Sequence, residues 1–113
     1  MPPVDSIDPE QLRNSAERAT RLLKSMANEH RLMLLCQLGM GEQSVGALAR
    51  HLPLSQSALS QHLARLREDG LVQTRREGQT IHYRLADGAV SRVIGVLYEI
   101  YCGPSAMCEG EAS

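Results

Sequence analysis

The chain has 113 residues, 42% of them hydrophobic and 22% charged, with a net charge of −1; this balance excludes a disordered chain and leaves room for one domain with a small core, for which dimerisation is a natural supplement. No apolar run approaches membrane-spanning length, and the N-terminus lacks the basic-then-apolar order of a signal peptide, so the expectation is a cytoplasmic protein with no membrane partner. Three cysteines are an odd number, which argues against a complete disulfide framework and leaves catalytic, metal-binding or sensing thiols.

The first seven residues, MPPVDSI, carry two prolines and little periodicity and are expected to form a mobile arm. Asp8, Pro9 and Gln11 then read as an N-cap, a first-turn proline and an N3 glutamine. A helix should follow to about Met26, with Leu12, Ala16, Ala19, Leu22, Leu23 and Met26 in one stripe. Asn28 caps a second helix whose run LMLLCQL leaves Gln37 as its one polar position. A short helix that is apolar all round is buried all round, which places Cys36 inside the protein. Gly39 and Gly41 end it.

Ser44 caps a short third helix with Val45, Leu48 and Ala49 inward, and Pro53 keeps it from fusing with the next. From Leu54 to Leu71 the sequence LSQSALSQHLARLREDGL gives a fourth helix with Ser55 as N-cap and Gly70 as a left-handed stop. Leu59, Leu63 and Leu66 share one face. Gln56, Ser57, Ser60 and Gln61 gather on the other, uncharged and rich in donors and acceptors, fit to match base edges and phosphates. The competing reading of these four is an ordinary solvated face. Two short helices with a tight turn and a polar-faced second member form a helix-turn-helix.

After Gly70, LVQTRRE and QTIHYRL alternate around Glu77 and Gly78 as a β-hairpin, with Leu71, Ile81, Tyr83 and Leu85 in packing positions. Arg75 and Arg76 stand near its tip, so the hairpin reads as a basic wing able to reach phosphates. Residues 50–84 carry a net +3, against −1 for residues 1–49 and −3 for residues 85–113. Positive charge is therefore concentrated where a polyanion would be met. A last helix begins near Asp87, carries Val90, Val93, Ile94, Leu97, Tyr98 and Tyr101, and ends at Gly103 and Pro104. The expected fold is mainly α with a β-hairpin: one winged helix-turn-helix domain over residues 1–113, of about five helices and a two-stranded wing, with a flexible tail over about 103–113. The first and last helices have apolar surface to spare and are expected to form a homodimer interface. That dimer would set two recognition helices roughly 34–36 Å apart on double-stranded DNA.

The segments SMANEHRLMLLCQL, LSQSALSQHLARLREDGLV and TRREGQTIHYRL together resemble the ArsR/SmtB family of bacterial winged-helix repressors, over nearly everything from Leu12 to Cys102. The resemblance implies a dimer bound to operator DNA and released by an inducer. The turn of Leu52, Pro53 and Leu54 departs from the glycine-containing turn more usual there. The family's thiolate metal site would need cysteines at Ser44 and Gly46. Its zinc site in the last helix would fall on Asp87, Ala89, Ile100 and Gly103, of which Asp87 alone ligates. Zinc wants four ligands, so no metal and no cofactor is expected. His30, His51, His62 and His82 are dispersed without ligand spacing.

Cys36 read alone is a small core hydrophobe, and Cys102 a chance residue at a frayed helix end. One cysteine in each of these two helices is also the pattern of the dithiol, persulfide-sensing subgroup of the family. The resemblance implies that reactive sulfur species link Cys36 to Cys102 and release the DNA. Cys108 has no such counterpart. A general oxidant sensor making a simple disulfide, an activator that displaces another repressor, and a winged-helix module for protein contacts stay open. No cysteine, serine or carboxylate has a recognisable base and oxyanion partner, so no enzyme is expected.

Overall fold

The computed structural model describes residues 8–103; the expected N-terminal arm, Cys108 and the tail beyond Gly103 lie outside the described residues. Each of the first four helices starts at a side-chain cap. The Asp8 carboxylate accepts the amides of Glu10 and Gln11 at the head of α1 (Pro9–Met26), and the Asn28 carbonyl those of His30 and Arg31 at the head of α2 (Glu29–Leu38). Ser44 and Ser55 do the same with one amide each for α3 (Val45–His51) and α4 (Gln56–Glu68). These oxygens satisfy donors that a helix cannot pair internally. Gly70, at φ +79, turns the chain out of α4.

The hairpin is β2 (Val72–Glu77) with β3 (Thr80–Leu85), antiparallel, with Glu77 opposite Thr80. The two-residue turn places Gly78 first at φ +65, where a residue with a Cβ would be strained. The sheet has one more member than the two-stranded wing expected from sequence. Gln43 and Ser44 form β1 and pair with Tyr83 and His82, giving the order β1-β3-β2. Two residues are too few to show an alternating pattern. The last described element is α5 (Ala89–Cys102), which begins two residues later than Asp87. Gly88 at φ +101 occupies the cap position, and no side chain caps the helix. Asp87 is instead exposed and faces Arg84 at 3.8 Å.

Leu34, Leu35 and Leu38 of α2, Leu48 of α3 and Leu59, Leu63 and Leu66 of α4 are buried in one cluster, joined by Leu71, Val72, Val90 and Ile94. Burial is uneven around α2, and this corrects one expectation. Cys36 and Gln37 are only partly buried, because the core cluster covers the Leu34, Leu35 and Leu38 side of the helix and leaves the other partly open.

Little of α1 touches this core. From Pro9 to Lys24 all but Leu22 are exposed, and burial begins at Ser25 and Met26. The helix is pinned at that end. The Ser25 hydroxyl, 0% exposed, donates to Asp69 Oδ2 at 2.7 Å, and Arg65 Nε donates to the same oxygen at 2.9 Å. Arg31 Nε donates to the Ser25 carbonyl at 2.6 Å. No described helix is long and apolar enough to cross a membrane.

The Ser25 hydrogen bond first, and the Arg65 guanidinium second, hold the Asp69 carboxyl below its ordinary range. Asp69→Ala leaves a buried hydroxyl without its acceptor and is expected to cost about 1–3 kcal/mol in urea unfolding at neutral pH. Because the folded-state pKa is the lower one, the Asp69 contribution is complete above the unfolded value of about 3.9 and is lost as pH falls through the folded value. The gap between wild type and Asp69→Ala should therefore hold from neutral pH down to about 4 and narrow below it.

Candidate functional site

With Leu59, Leu63 and Leu66 turned into the core, α4 has no freedom in which side faces solvent. Gln56, Ser57, Ser60 and Gln61 are all exposed. None of their side chains hydrogen-bonds to another described residue. They form an uncharged surface of donors and acceptors at the N-terminal half of the helix, the half that carries base contacts when such a helix enters a major groove.

Beside it stands the wing, whose two arginines differ. Arg76 lies opposite Ile81, on the strand face shared with Val72 and Thr74, and has no carboxylate partner among the described residues. Arg75 projects from the other face and is engaged. Its Nη2 donates to Glu42 Oε1 at 2.7 Å and its Nε to Glu42 Oε2 at 3.1 Å, while Nη1 lies 3.6 Å from Glu77. His82 Nε2 is 3.2 Å from the same Glu77 carboxylate. The hydrogen bond from Arg75 holds the Glu42 carboxyl below its ordinary range and raises Arg75 in return. Glu42 carries no periodic or motif signal, and its pairing spans 33 residues.

Both described cysteines are free thiols. Cys36 sits in the C-terminal half of α2, partly buried against the core, and Cys102 is the exposed last residue of α5. The two helices meet where Gly39 caps α2: a Cβ there would stand 3.2 Å from Ile94 Cγ2, so the absence of a side chain lets α5 lie close. Burial pushes the Cys36 thiol up, and repulsion by a Cys102 thiolate adds to it. The helices that carry the two cysteines, α2 and α5, thus pack on one another although they lie far apart in sequence.

The fold also joins two histidines that look unrelated in the sequence. His30 of α2 and His62 of α4 have ring centroids 6.0 Å apart, tilted by 54°. Burial first, then the charges of Arg31 and His30, push His62 below its ordinary value. Among the described residues no three His, Cys, Asp or Glu side chains gather in a way that could hold a metal ion.

A family model described as bacterial regulatory protein, arsR family, matches residues 28–74, which span α2, the helix-turn-helix and the start of the wing. The transcriptional activator HlyU of Vibrio cholerae serotype O1 is 52% identical over 93 residues, 82% of this chain and 86% of that protein. A biofilm growth-associated repressor of Agrobacterium fabrum is 50% identical over 91 residues, 78% of each. Among solved structures, reduced HlyU from Vibrio cholerae superposes with a TM-score of 0.79 at 52% identity, covering 82% of this chain and 98% of that one. The homodimeric winged helix-turn-helix DNA-binding domain of a possible ArsR-family regulator from Mycobacterium bovis superposes at 0.71 with 30% identity, covering 82% and 86%.

The thiol geometry makes an alkylation prediction. With a maleimide near pH 8, Cys102 should react well ahead of Cys36, located by peptide mass after short exposure. Cys102→Ser removes the repelling charge, so the rate of Cys36 alkylation should rise at a lower pH than in wild type. An unchanged Cys36 profile in that variant would mean the two thiols do not sense one another.

Proposed function

The chain belongs to the arsR family of bacterial regulatory proteins, and from that premise we propose that it is a homodimeric repressor that leaves its operator when reactive sulfur species join Cys36 to Cys102. The observation that carries the sensing half is the packing of α5 on α2, the two helices that hold these thiols, at Gly39 and Ile94. The existence of a relative's structure designated as its reduced form is in keeping with a thiol that changes state.

In this reading α4 enters the major groove with Gln56, Ser57, Ser60 and Gln61 on base edges and nearby phosphates. The wing, carrying Arg75 and Arg76, lies along the backbone outside the groove. The dimer forms through α1 and α5. Among the described residues, six of the seven large apolar side chains left exposed belong to these helices: Leu12 and Leu23 on α1, and Val96, Tyr98, Ile100 and Tyr101 on α5. Covering what remains exposed of six such side chains on both protomers contributes on the order of 10–20 kcal/mol. The cost of association is about 4–15 kcal/mol, so burial of this size supports pairing through these helices.

The sulfur chemistry starts at the exposed thiol. The Cys102 thiolate attacks the outer sulfur of an organic persulfide, taking that sulfur and releasing the organic thiol. A second persulfide converts Cys36 in the same way. The Cys36 perthiolate then attacks the inner sulfur of the Cys102 persulfide and expels hydrosulfide, leaving a three-sulfur bridge. A plain disulfide needs Cα atoms within about 7 Å, and each added sulfur lengthens the reach, so helix spacing selects persulfide over peroxide. Bridging ties α2 to α5. Since α5 sets the dimer, the two α4 helices lose the spacing that the duplex demands.

A second reading has one specific observation behind it. The 52% identical relative from Vibrio cholerae is named an activator, so this chain would raise transcription by displacing another repressor.

Two measurements test the main reading. Treated with organic persulfide, wild type should gain the mass of one sulfur less two hydrogens and lose affinity for its own upstream DNA by roughly 5- to 150-fold. Cys36→Ser and Cys102→Ser should stay bound, and release of either variant would overturn the mechanism. On the DNA side, Gln56→Ala is expected to relax discrimination at one base pair by about 1–3 kcal/mol. Arg76→Ala should weaken binding to all sequences alike and lower the salt slope by about 1.

A further inference from the structure

We propose that Arg75 is a positioning residue of the wing, holding it through Glu42 to the segment that leaves the end of α2, and is not itself a phosphate contact. The DNA-binding part of the inference needs only the family assignment; its extension to thiol release rests on the reading of Cys36 and Cys102 given above.

Three observations carry it. First, each of the three guanidinium nitrogens of Arg75 already faces a carboxylate: Nη2 and Nε take Glu42 at 2.7 and 3.1 Å, and Nη1 lies 3.6 Å from Glu77. Two carboxylates about one guanidinium cancel the charge a phosphate would seek. Second, the pair is bidentate but exposed, with 51% and 29% of the two side chains accessible. Exposed pairs add little stability, whereas a two-point fork fixes orientation well. Third, Glu42 belongs to a stretch that is itself anchored. The Gln43 side-chain amide donates to the Gln37 carbonyl at 2.9 Å, and Gln37 is the residue after Cys36. Gln43 also pairs with Tyr83 of β3. A continuous set of polar contacts therefore runs from the turn of α2 that carries Cys36, through Gln43 and Glu42, to Arg75 on the outer strand of the wing.

The consequence is a second route by which α2 reaches the DNA. When the end of α2 shifts, Glu42 shifts with it and the wing follows inside one protomer, whatever the dimer does. Arg76, on the opposite strand face and without a carboxylate partner among the described residues, is left as the wing's cation for the backbone.

The test uses the full chain, reduced, titrated against its own upstream DNA over a range of salt. Glu42→Gln makes the protein more positive, so a phosphate-contacting Arg75 released from its partner would bind DNA more tightly. A positioning role predicts the reverse: Glu42→Gln and Arg75→Gln each weaken binding by about fivefold or more, and the double variant is no worse than either. Arg75→Gln leaves the salt slope near wild type, whereas Arg76→Gln lowers it by about 1. Arg75→Lys, which keeps the charge and loses the fork, should behave like Arg75→Gln. Tighter binding by Glu42→Gln, or a slope loss in Arg75→Gln equal to that in Arg76→Gln, overturns the proposal. For the link to α2, Glu42→Gln should form the Cys36–Cys102 bridge normally by intact mass yet show a smaller ratio of reduced to bridged affinity; an unchanged ratio overturns the link. A wild-type chain that bridges and stays on DNA signals failure of the thiol reading, and is distinguishable because the reduced-state comparison involves no thiol chemistry.

Discussion

Leu59, Leu63 and Leu66, sealed in one cluster with Leu34, Leu35 and Leu48, form the contact on which the rest of this structure depends. All six are at most 1% exposed, and burial of a leucine is worth about 1.5–3 kcal/mol. Rotating α4 about its axis by even one position would bring part of that face into water. The polar side is thereby fixed in direction by groups it never touches. A surface that must match the edges of base pairs needs such fixing, because misplacement by an ångström or so forfeits a paired hydrogen bond. The core in this small domain orients as much as it stabilises.

What was legible in the sequence follows from range. Asp8, Asn28, Ser44 and Ser55 mark helix starts through contacts that span two or three residues, and each of them caps as read. The leucine spacing of α4 and the alternation across the hairpin are likewise local patterns. What escaped has no period. β1 is two residues long and owes its existence to Tyr83 and His82 across the sheet. The Arg75 to Glu42 fork and the meeting of His30 with His62 join residues dozens of positions apart. The last helix begins two residues beyond Asp87, where the chain turns at Gly88 at a positive φ that no apolar spacing marks. Cys36 is less deep than its run predicts because LMLLCQL says how many sides want cover, not how many neighbours exist to give it.

The candidate site divides along the same line. That Gln56, Ser57, Ser60 and Gln61 share a face is helical geometry and needs only a sequence. That the two wing arginines have different surroundings could not be read from RR as a dipeptide. Strand alternation sends them to opposite faces, and only the three-dimensional fold brings Glu42 to one of them. A basic tip in a sequence is therefore a count of charges, and the usable field is what remains after internal pairing.

Gly39 bears no functional group, yet it sets the distance at which α5 rests on α2, since a methyl there would press on Ile94. If the gap between the two cysteines decides which oxidant can span it, that position acts as a spacer in a chemical gauge. Paralogues with the same pair of thiols could then diverge in the sulfur chain length they accept by exchanging bulk at a residue with no reactivity of its own.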